Sequence, residues 1–159
     1  IGDTLTEGEI LNFRGIPSFS PEHFRYVNNA DPMKAKQLFK GLDQLMDEGV
    51  AQLFTLDMNG RKIVGTVGAL QYEVIQYRLE HEYGAKCTYE NLQVHKACWV
   101  EPENPKNEEF KEFKRVKQRY LAKDKQGQLV FLADSAFTIQ MTQSKYPTVK
   151  LHFVSEFKN

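Results

Sequence analysis

The feature that most constrains the fold of this chain is a helix that carries its own start and stop signals. Asp31 supplies a capping carboxylate, and Pro32 follows at the first helical position, where its missing N–H is not needed. Apolar residues then recur at steps of three and four, and Gly49 stands where a left-handed C-cap belongs. The spacing predicts one buried helix face formed by Ala35, Leu38, Phe39, Leu42, Leu45 and Met46.

Strand patterns lie on both sides of this helix. Before it, Phe24 and Tyr26 share one face of an alternating run, and His23 and Arg25 share the other. After it, two β-like runs flank Asn59-Gly60, a dipeptide that is the strongest short-range signal for a hairpin. We therefore predict strands over residues 22–27, 50–56 and 61–67.

A second helix and a fourth strand complete the pattern. Residues 68–83 have helical spacing and end at Gly84, and a strand follows in which Cys87 and Tyr89 alternate with polar residues. The apolar positions of the helix are Leu70, Val74, Ile75 and Leu79. The element order β-α-β-β-α-β is that of the split βαβ or ferredoxin-like unit, whose antiparallel sheet buries one face under two helices.

The C-terminal part predicts a smaller α/β subdomain. A strand over 94–100 leads to Pro102 and Pro105, and beyond them 13 of the 24 residues from Glu103 to Gln126 are charged. The apolar residues of this stretch still fall on one arc of a helix, namely Phe110, Phe113, Val116, Tyr120 and Leu121. A strand over 129–133, a short helix capped by Asp134 or Ser135 and ending at Gln143, and a strand alternating at Val149, Leu151 and Phe153 follow.

These patterns predict an α+β fold and three stretches of chain. Residues 1–19 carry glycines and a proline without periodicity, and we interpret them as the remnant and linker of a preceding domain. Residues 20–101 form the ferredoxin-like subdomain, and residues 102–159 form the C-terminal α/β subdomain. The absence of an initiator Met leads us to expect a piece of a larger protein.

Composition narrows the function classes. Lys plus Arg and Asp plus Glu both number 21, so net charge does not favour a general polyanion binder, and nucleic acid would need a local patch. Two Cys do not make a disulfide framework, and neither a signal peptide nor a membrane segment is visible in the sequence. We expect a cytoplasmic monomer with no membrane partner.

The sequence offers weak candidates for chemistry. Cys87, His95 and Cys98 are the best metal candidates, but their spacing matches no common zinc pattern and a fourth ligand is missing. Small phosphatases on the same fold hold an anion in an Arg-bearing loop, whereas residues 28–31 here end in Asp31, which suits helix capping. Gly65-Thr66-Val67-Gly68 lacks the Lys of a phosphate-binding loop. We therefore predict no catalytic, cofactor-binding or metal-binding residues.

The charged helix is the remaining candidate surface. Lys111, Lys114 and Arg115 lie on its solvated arc and would suit a contact with phosphate groups, and the same stretch, 106–121, would serve a free-standing RNA-binding domain. The alternative is a solvated face in which Glu108, Glu109 and Glu112 neutralise the basic residues. Trp99 stands in the strand that links the two subdomains. We expect it to be a core residue between them, in preference to a platform on which nucleic-acid bases stack.

Longer motifs resemble one family. The start of the chain, with Ile1-Gly2-Asp3-Thr4-Leu5 and Phe13-Arg14-Gly15-Ile16-Pro17, is similar to the exit from the β-barrel second domain of a translational GTPase. More specific runs resemble peptide chain release factor 3, the bacterial class II release factor family: Asp31-Pro32-Met33-Lys34-Ala35-Lys36-Gln37-Leu38 and Val64-Gly65-Thr66-Val67-Gly68-Ala69-Leu70-Gln71-Tyr72-Glu73-Val74. Elongation factor G, the alternative, has Gly-Glu-Leu-His where this chain has Gly68-Ala69-Leu70-Gln71.

The resemblance implies a GTPase that promotes departure of class I release factors from the terminating ribosome. GTP and Mg²⁺ would belong to a GTP-binding domain that this chain lacks, so we expect no hydrolysis by the chain itself. The implied partners are the small-subunit protein surface of the ribosome, ribosomal RNA, and the factor's own GTP-binding and β-barrel domains. The matching motifs are caps, core stripes and turns, and they identify no contact residue. If the resemblance holds, the phosphates that Lys111, Lys114 and Arg115 would contact are those of the ribosome.

Overall fold

One antiparallel sheet of eight strands is the scaffold of residues 21–153, the part of the chain that the computed structural model describes. Four α-helices accompany it in this part of the chain, as expected for an α+β fold. The strands are β1 (His23–Asn29), β2 (Gln52–Leu56), β3 (Lys62–Thr66), β4 (Cys87–Asn91), β5 (Lys96–Pro102), β6 (Leu121–Lys123), β7 (Leu129–Ala133) and β8 (Val149–His152). The helices are α1 (Ala35–Asp47), α2 (Gln71–Tyr83), α3 (Glu108–Val116) and α4 (Ala136–Lys145).

The first four strands and two helices form the predicted ferredoxin-like arrangement. Their order in the sheet is β4-β1-β3-β2, and every neighbouring pair is antiparallel. The turn between β2 and β3 is the Asn59-Gly60 hairpin: Gly60 has a φ of 74°, and Asn59 Oδ1 accepts a 3.0 Å hydrogen bond from the Arg61 amide. Positive φ is the conformation for which such hairpins select Gly.

The termini of α1 follow the capping chemistry of the sequence. Asp31 Oδ1 accepts a 3.0 Å bond from the Met33 amide at the start of a short 3₁₀ turn, Pro32–Lys34, that leads into α1. Gly49 ends the helix region with a φ of 83°. Both capping predictions are confirmed.

The predicted apolar stripes are only partly buried. Leu38, Leu42 and Leu45 are fully buried, but Phe39 is 43% exposed and lies 5.7 Å from the Lys62 ammonium. On α2, Ile75 and Leu79 are buried as predicted. Leu70 and Val74 are exposed, and the position of Tyr72 in the core was not predicted. The helix thus packs through a face rotated away from the predicted one.

The second half of the sheet repeats the topology of the first. Its elements run β5-α3-β6-β7-α4-β8 and its strand order is β6-β7-β5-β8, which matches β2-β3-β1-β4 position for position. No repeat in the amino-acid sequence marks this duplication. β5 pairs with β7 and β8, so in the sheet it groups with the C-terminal half although all but its last residue precede residue 102. The division into subdomains itself stays a prediction.

The two halves meet through a short strand pairing and a shared core. β2 and β6 pair over only two positions, Thr55 with Lys123 and Leu56 with Ala122. Phe54 on β2 and Trp99 on β5 are three strands apart in the sheet order, a distance of about 14 Å in a flat sheet, because neighbouring strands are about 4.8 Å apart. Their ring centroids are only 6.2 Å apart, so the sheet bends and its halves face each other.

Alternation along the strands divides the apolar residues among three cores. On β5, Ala97 and Trp99 face the central core between the halves, whereas Cys98 and Val100 face α3 and α4. Trp99 is fully buried and its indole donates a 2.9 Å bond to Asp124 Oδ2, which confirms the expected core role. The central core contains Phe24, Phe54, Leu56, Ile63, Ala97, Trp99, Ala122, Val130 and Leu132.

An ion pair crosses the strands at one edge of the sheet. The Arg61 guanidinium lies 2.8 Å from Glu90 Oε1 and 3.1 Å from Asn28 Oδ1, and it stacks 3.6 Å from the centroid of the Tyr26 ring. The hydrogen bond from Arg61 and a second one, donated by Asn28 Nδ2 at 3.3 Å, lower the pKa of the Glu90 carboxyl. The helices of residues 21–153 include none with the length and apolar character needed to span a membrane.

Leu42→Ala should destabilise the protein by about 2 to 5 kcal/mol, because it removes a fully buried side chain and leaves a cavity between α1 and α2. Phe39→Ala, a truncation on the same helix at a partly exposed site, is the matched control and should cost less than about 1 kcal/mol. Urea denaturation measures both. Equal losses for the two variants would contradict the assignment of the buried face.

Glu90 should make folding stability depend on pH in the acid range. Its folded-state pKa lies below the ordinary value of 4.5, so the stabilisation is complete above that value. It is lost progressively as the pH falls toward the folded-state pKa, because the unfolded chain protonates first. Thermal unfolding between pH 6 and pH 3 should show a shallower decline for Glu90→Gln than for the natural chain. Identical pH profiles would rule out this contribution.

Candidate functional site

The start of α3 is tied to the turn ahead of β8. Asn107 caps the helix through a 2.7 Å bond from the Phe110 amide to its Oδ1. The Glu109 carboxylate accepts bonds from both the amide and the hydroxyl of Thr148, each 2.6 Å long. The acidic residues stand in the first turn and Lys114 and Arg115 in the last, which is the favourable orientation for the helix dipole.

Aromatic packing sets which side of α3 faces solvent. Phe113 is fully buried, with its ring centroid 5.8 Å from that of Phe131 and 5.6 Å from that of Tyr146. The predicted apolar arc is wrong at its C-terminal end, since Val116 and Tyr120 are both 42% exposed. The reason is local: α3 ends at Val116, and residues 118–120 form a 3₁₀ turn that breaks the α-helical spacing.

Two of the three predicted basic residues lie together. Lys114 and Arg115 line an open depression of about 410 Å³, along with Gln118, Leu121 and Asp57. Asp57 belongs to the turn after β2, so the depression lies between the two halves of the sheet, next to the β2 and β6 pairing. The Lys114 ammonium also lies 4.7 Å from the centroid of the Phe110 ring, which orients its side chain.

Lys111, the third predicted residue, is not part of this lining. Its ammonium lies 3.5 Å from Glu108 Oε2 in an exposed i,i+3 pair, a kind of contact that contributes little to stability. The structure thus separates Lys111 from the other two basic residues.

The sequence patterns did not predict two charged residues at the depression, Asp57 and Lys123. Lys123 on β6 forms a 3.2 Å ion pair with Asp57, the acidic residue of the depression, and Asp57 comes from the other half of the sheet. Three basic residues therefore stand against the single Asp57 carboxylate, namely Lys114, Arg115 and Lys123. The local charge is positive. Phosphate groups are bound by Lys and Arg in such settings. No sequence signal joins Asp57 to residues 114–123, because only the β2 and β6 pairing brings them together.

The weaker candidates are dispersed or satisfied. Cys87 lies in the core under α1 and α2, where burial raises the pKa of its thiol, whereas Cys98 lies in the core under α3 and α4. Within residues 21–153, no group of three or more His, Cys, Asp or Glu side chains could hold a metal ion. Asn29 Oδ1 accepts the Asp31 amide at 3.1 Å, and Asp31 acts as the predicted helix cap.

The glycine-containing segment 65–68, at the end of β3, does not fit a nucleotide. A Cβ on Gly65 would lie 2.9 Å from the Pro21 side chain, so this backbone is covered by protein. The Thr66 hydroxyl donates to the Gly68 carbonyl at 2.9 Å, and the Gly68 amide donates to Gln71 Oε1 at 3.0 Å. The Thr66 hydroxyl and the Gly68 amide are therefore engaged within the chain.

Comparison with protein families supplies the context for this fold and its basic depression. A family model described as class II release factor RF3, C-terminal domain, matches residues 13–143. Proteins of this kind act in translation termination. The chain belongs to the class II release factor RF3 family, through its C-terminal domain, and the resemblance deduced from the sequence is confirmed.

Proposed function

We propose that this chain is the ribosome-docking and interdomain-contact domain of a class II release factor that promotes departure of class I release factors in the cytoplasm. The family match supports the setting, since it places the domain in translation termination. The observation that carries the docking proposal is the depression lined by Lys114 and Arg115 between the two halves of the sheet. It offers a phosphate contact from a rigid element of the fold.

The chemistry of the depression suits a nucleic-acid backbone. Arg115 presents a planar guanidinium that can bind one phosphate through two hydrogen bonds, and Lys114 supplies a second positive charge one residue away. Both belong to the last turn of α3, whose buried aromatic face holds the helix against the sheet. Docking would thus position the whole domain, and through it the domains attached to it, relative to the ribosomal surface.

Nucleotide chemistry belongs elsewhere in the factor under this proposal. GTP and Mg²⁺ would bind to a separate GTP-binding domain, which this chain would contact together with a β-barrel domain. The engaged polar groups of residues 65–68 support this division. The chain itself would act by placement, and class I release factors would leave as an indirect result.

Reversal of the basic residues should weaken ribosome binding. We expect the triple variant Lys111→Glu, Lys114→Glu, Arg115→Glu to lose affinity and to reduce the slope of log affinity against log salt by about two units, because two of these residues line the depression. Lys34→Glu, Lys36→Glu, Lys40→Glu changes the charge equally at the α1 end of the molecule and should leave binding close to normal. Ribosome co-sedimentation across a salt series measures both.

Two outcomes of that assay separate the candidate functions. Equal affinity of the natural chain and the triple variant at low salt would leave α3 as a solvated face. Tight binding to naked RNA, lost in the same variant, would favour a free-standing RNA-binding domain that uses residues 106–121.

The isolated chain should not bind GTP. Residues 65–68 include no lysine, the Gly65 backbone is covered by Pro21, and the Gly68 amide already donates to Gln71. Isothermal calorimetry with GTP and Mg²⁺ should therefore give no heat of binding at micromolar protein. Micromolar affinity for GTP would contradict the proposed division of labour between domains.

A further inference from the structure

Helix α2 carries apolar residues on two faces, and only one of them is used by the core. Tyr72, Ile75 and Leu79 are buried against the sheet and α1. The opposite face presents Leu70, Val74 and Tyr77, which are 73%, 48% and 63% exposed. These three follow the i, i+4, i+7 spacing of one helix stripe.

The stripe continues for a further turn at His81. The His81 and Tyr77 ring centroids are 4.1 Å apart, so the two rings form one surface. From Leu70 to His81 the stripe is about 16 Å long, at about 1.5 Å per residue. Single exposed apolar residues are ordinary on protein surfaces, whereas a contiguous line of them marks an interaction site.

Carboxylates predominate beside the stripe. Glu73 and Glu80 lie along one flank, and neither forms an ion pair within residues 21–153. On the other flank Arg78 lies 2.7 Å from Glu48 and 2.8 Å from Glu82, so two carboxylates outweigh the single cation. An apolar line with carboxylates on both sides complements a surface that is apolar at its centre and basic at its margins.

We propose that the stripe formed by Leu70, Val74, Tyr77 and His81 is a docking site for a basic, amphipathic segment of another protein. Apolar side chains of that segment would lie on the stripe, and its Lys or Arg residues would pair with Glu73 and Glu80. A helix in which apolar residues recur at the same spacing fits such a surface. RNA is disfavoured here, because the carboxylates repel phosphates. The site is separate from the α3 depression and does not rest on the docking function proposed above.

A model peptide tests the proposal directly on the 159-residue chain. The probe is a fluorescein-labelled peptide of about 18 residues with Leu at i, i+3, i+4 and i+7 and Lys elsewhere, and fluorescence anisotropy measures its binding. A second peptide carries Glu in place of every Lys. We expect the Lys peptide to bind at least about tenfold more tightly than the Glu peptide, with an affinity that falls as salt rises.

Variants of the exposed face separate the apolar and the charged contributions. Leu70→Ser with Tyr77→Ser should lower the affinity about tenfold, and Glu73→Gln with Glu80→Gln should lower it and flatten its salt dependence. Phe137→Ser with Met141→Ser is the matched control, since α4 also exposes this apolar pair but has no acidic residue along its length. Equal affinity for the two peptides, or an equal loss in the α4 control, would overturn the proposal.

Photo-cross-linking identifies any other occupant of the stripe. Benzoylphenylalanine placed at position 77 should give no cross-link to residues 1–20 or to a second copy of the chain, and a link to the Lys peptide when that peptide is present. A link to residues 1–20, or to a second copy of the chain, would overturn the proposal in favour of that occupant. Because these assays contain no ribosome, their failure is distinct from a failure of ribosome docking.

Discussion

The central core between the two halves of the sheet is the interaction on which the rest of the structure depends. Pairing of β2 with β6 supplies only two residue pairs, too few to hold two halves in register. The apolar faces opposite the helices do so instead, with Phe54 against Trp99 and the Trp99 indole bonded to Asp124. Burial of these faces turns what could be two small units into one body, and it sets where α3 stands relative to the turn after β2.

Local chemistry made the first half of the fold predictable from the sequence. Asp31, Gly49 and the Asn59-Gly60 turn act through bonds within a few residues, so their effect is visible in the sequence. The second half was harder because β6 has only three residues and α3 ends in a 3₁₀ turn, which hides the same topology. The strand at 96–102 ends at Pro102, the first of the two prolines, yet its partners are β7 and β8, and only tertiary pairing reveals this.

The depression at α3 was predictable only where its residues follow a local pattern. Lys114 and Arg115 follow from helix periodicity, whereas Asp57 and Lys123 become neighbours only through the β2 and β6 pairing. Exposure of Val74 could not be read from spacing either, because α2 is apolar on two faces and periodicity does not say which of them meets the sheet. The solvent-exposed face of α2 carries the proposed docking stripe. The two apolar faces that made the pattern ambiguous therefore have different roles in the structure.

Each half of the sheet is formed by one continuous stretch of chain, and this has a consequence during synthesis of the protein. The first half is complete at Asn91, while the partner face that covers Phe24, Phe54 and Ile63 is contributed by strands that end at Ala133. A nascent chain therefore holds a finished sheet with one apolar face open until some forty further residues emerge, or about two to eight seconds at bacterial rates of elongation. During that interval the incomplete domain presents the kind of surface that molecular chaperones bind.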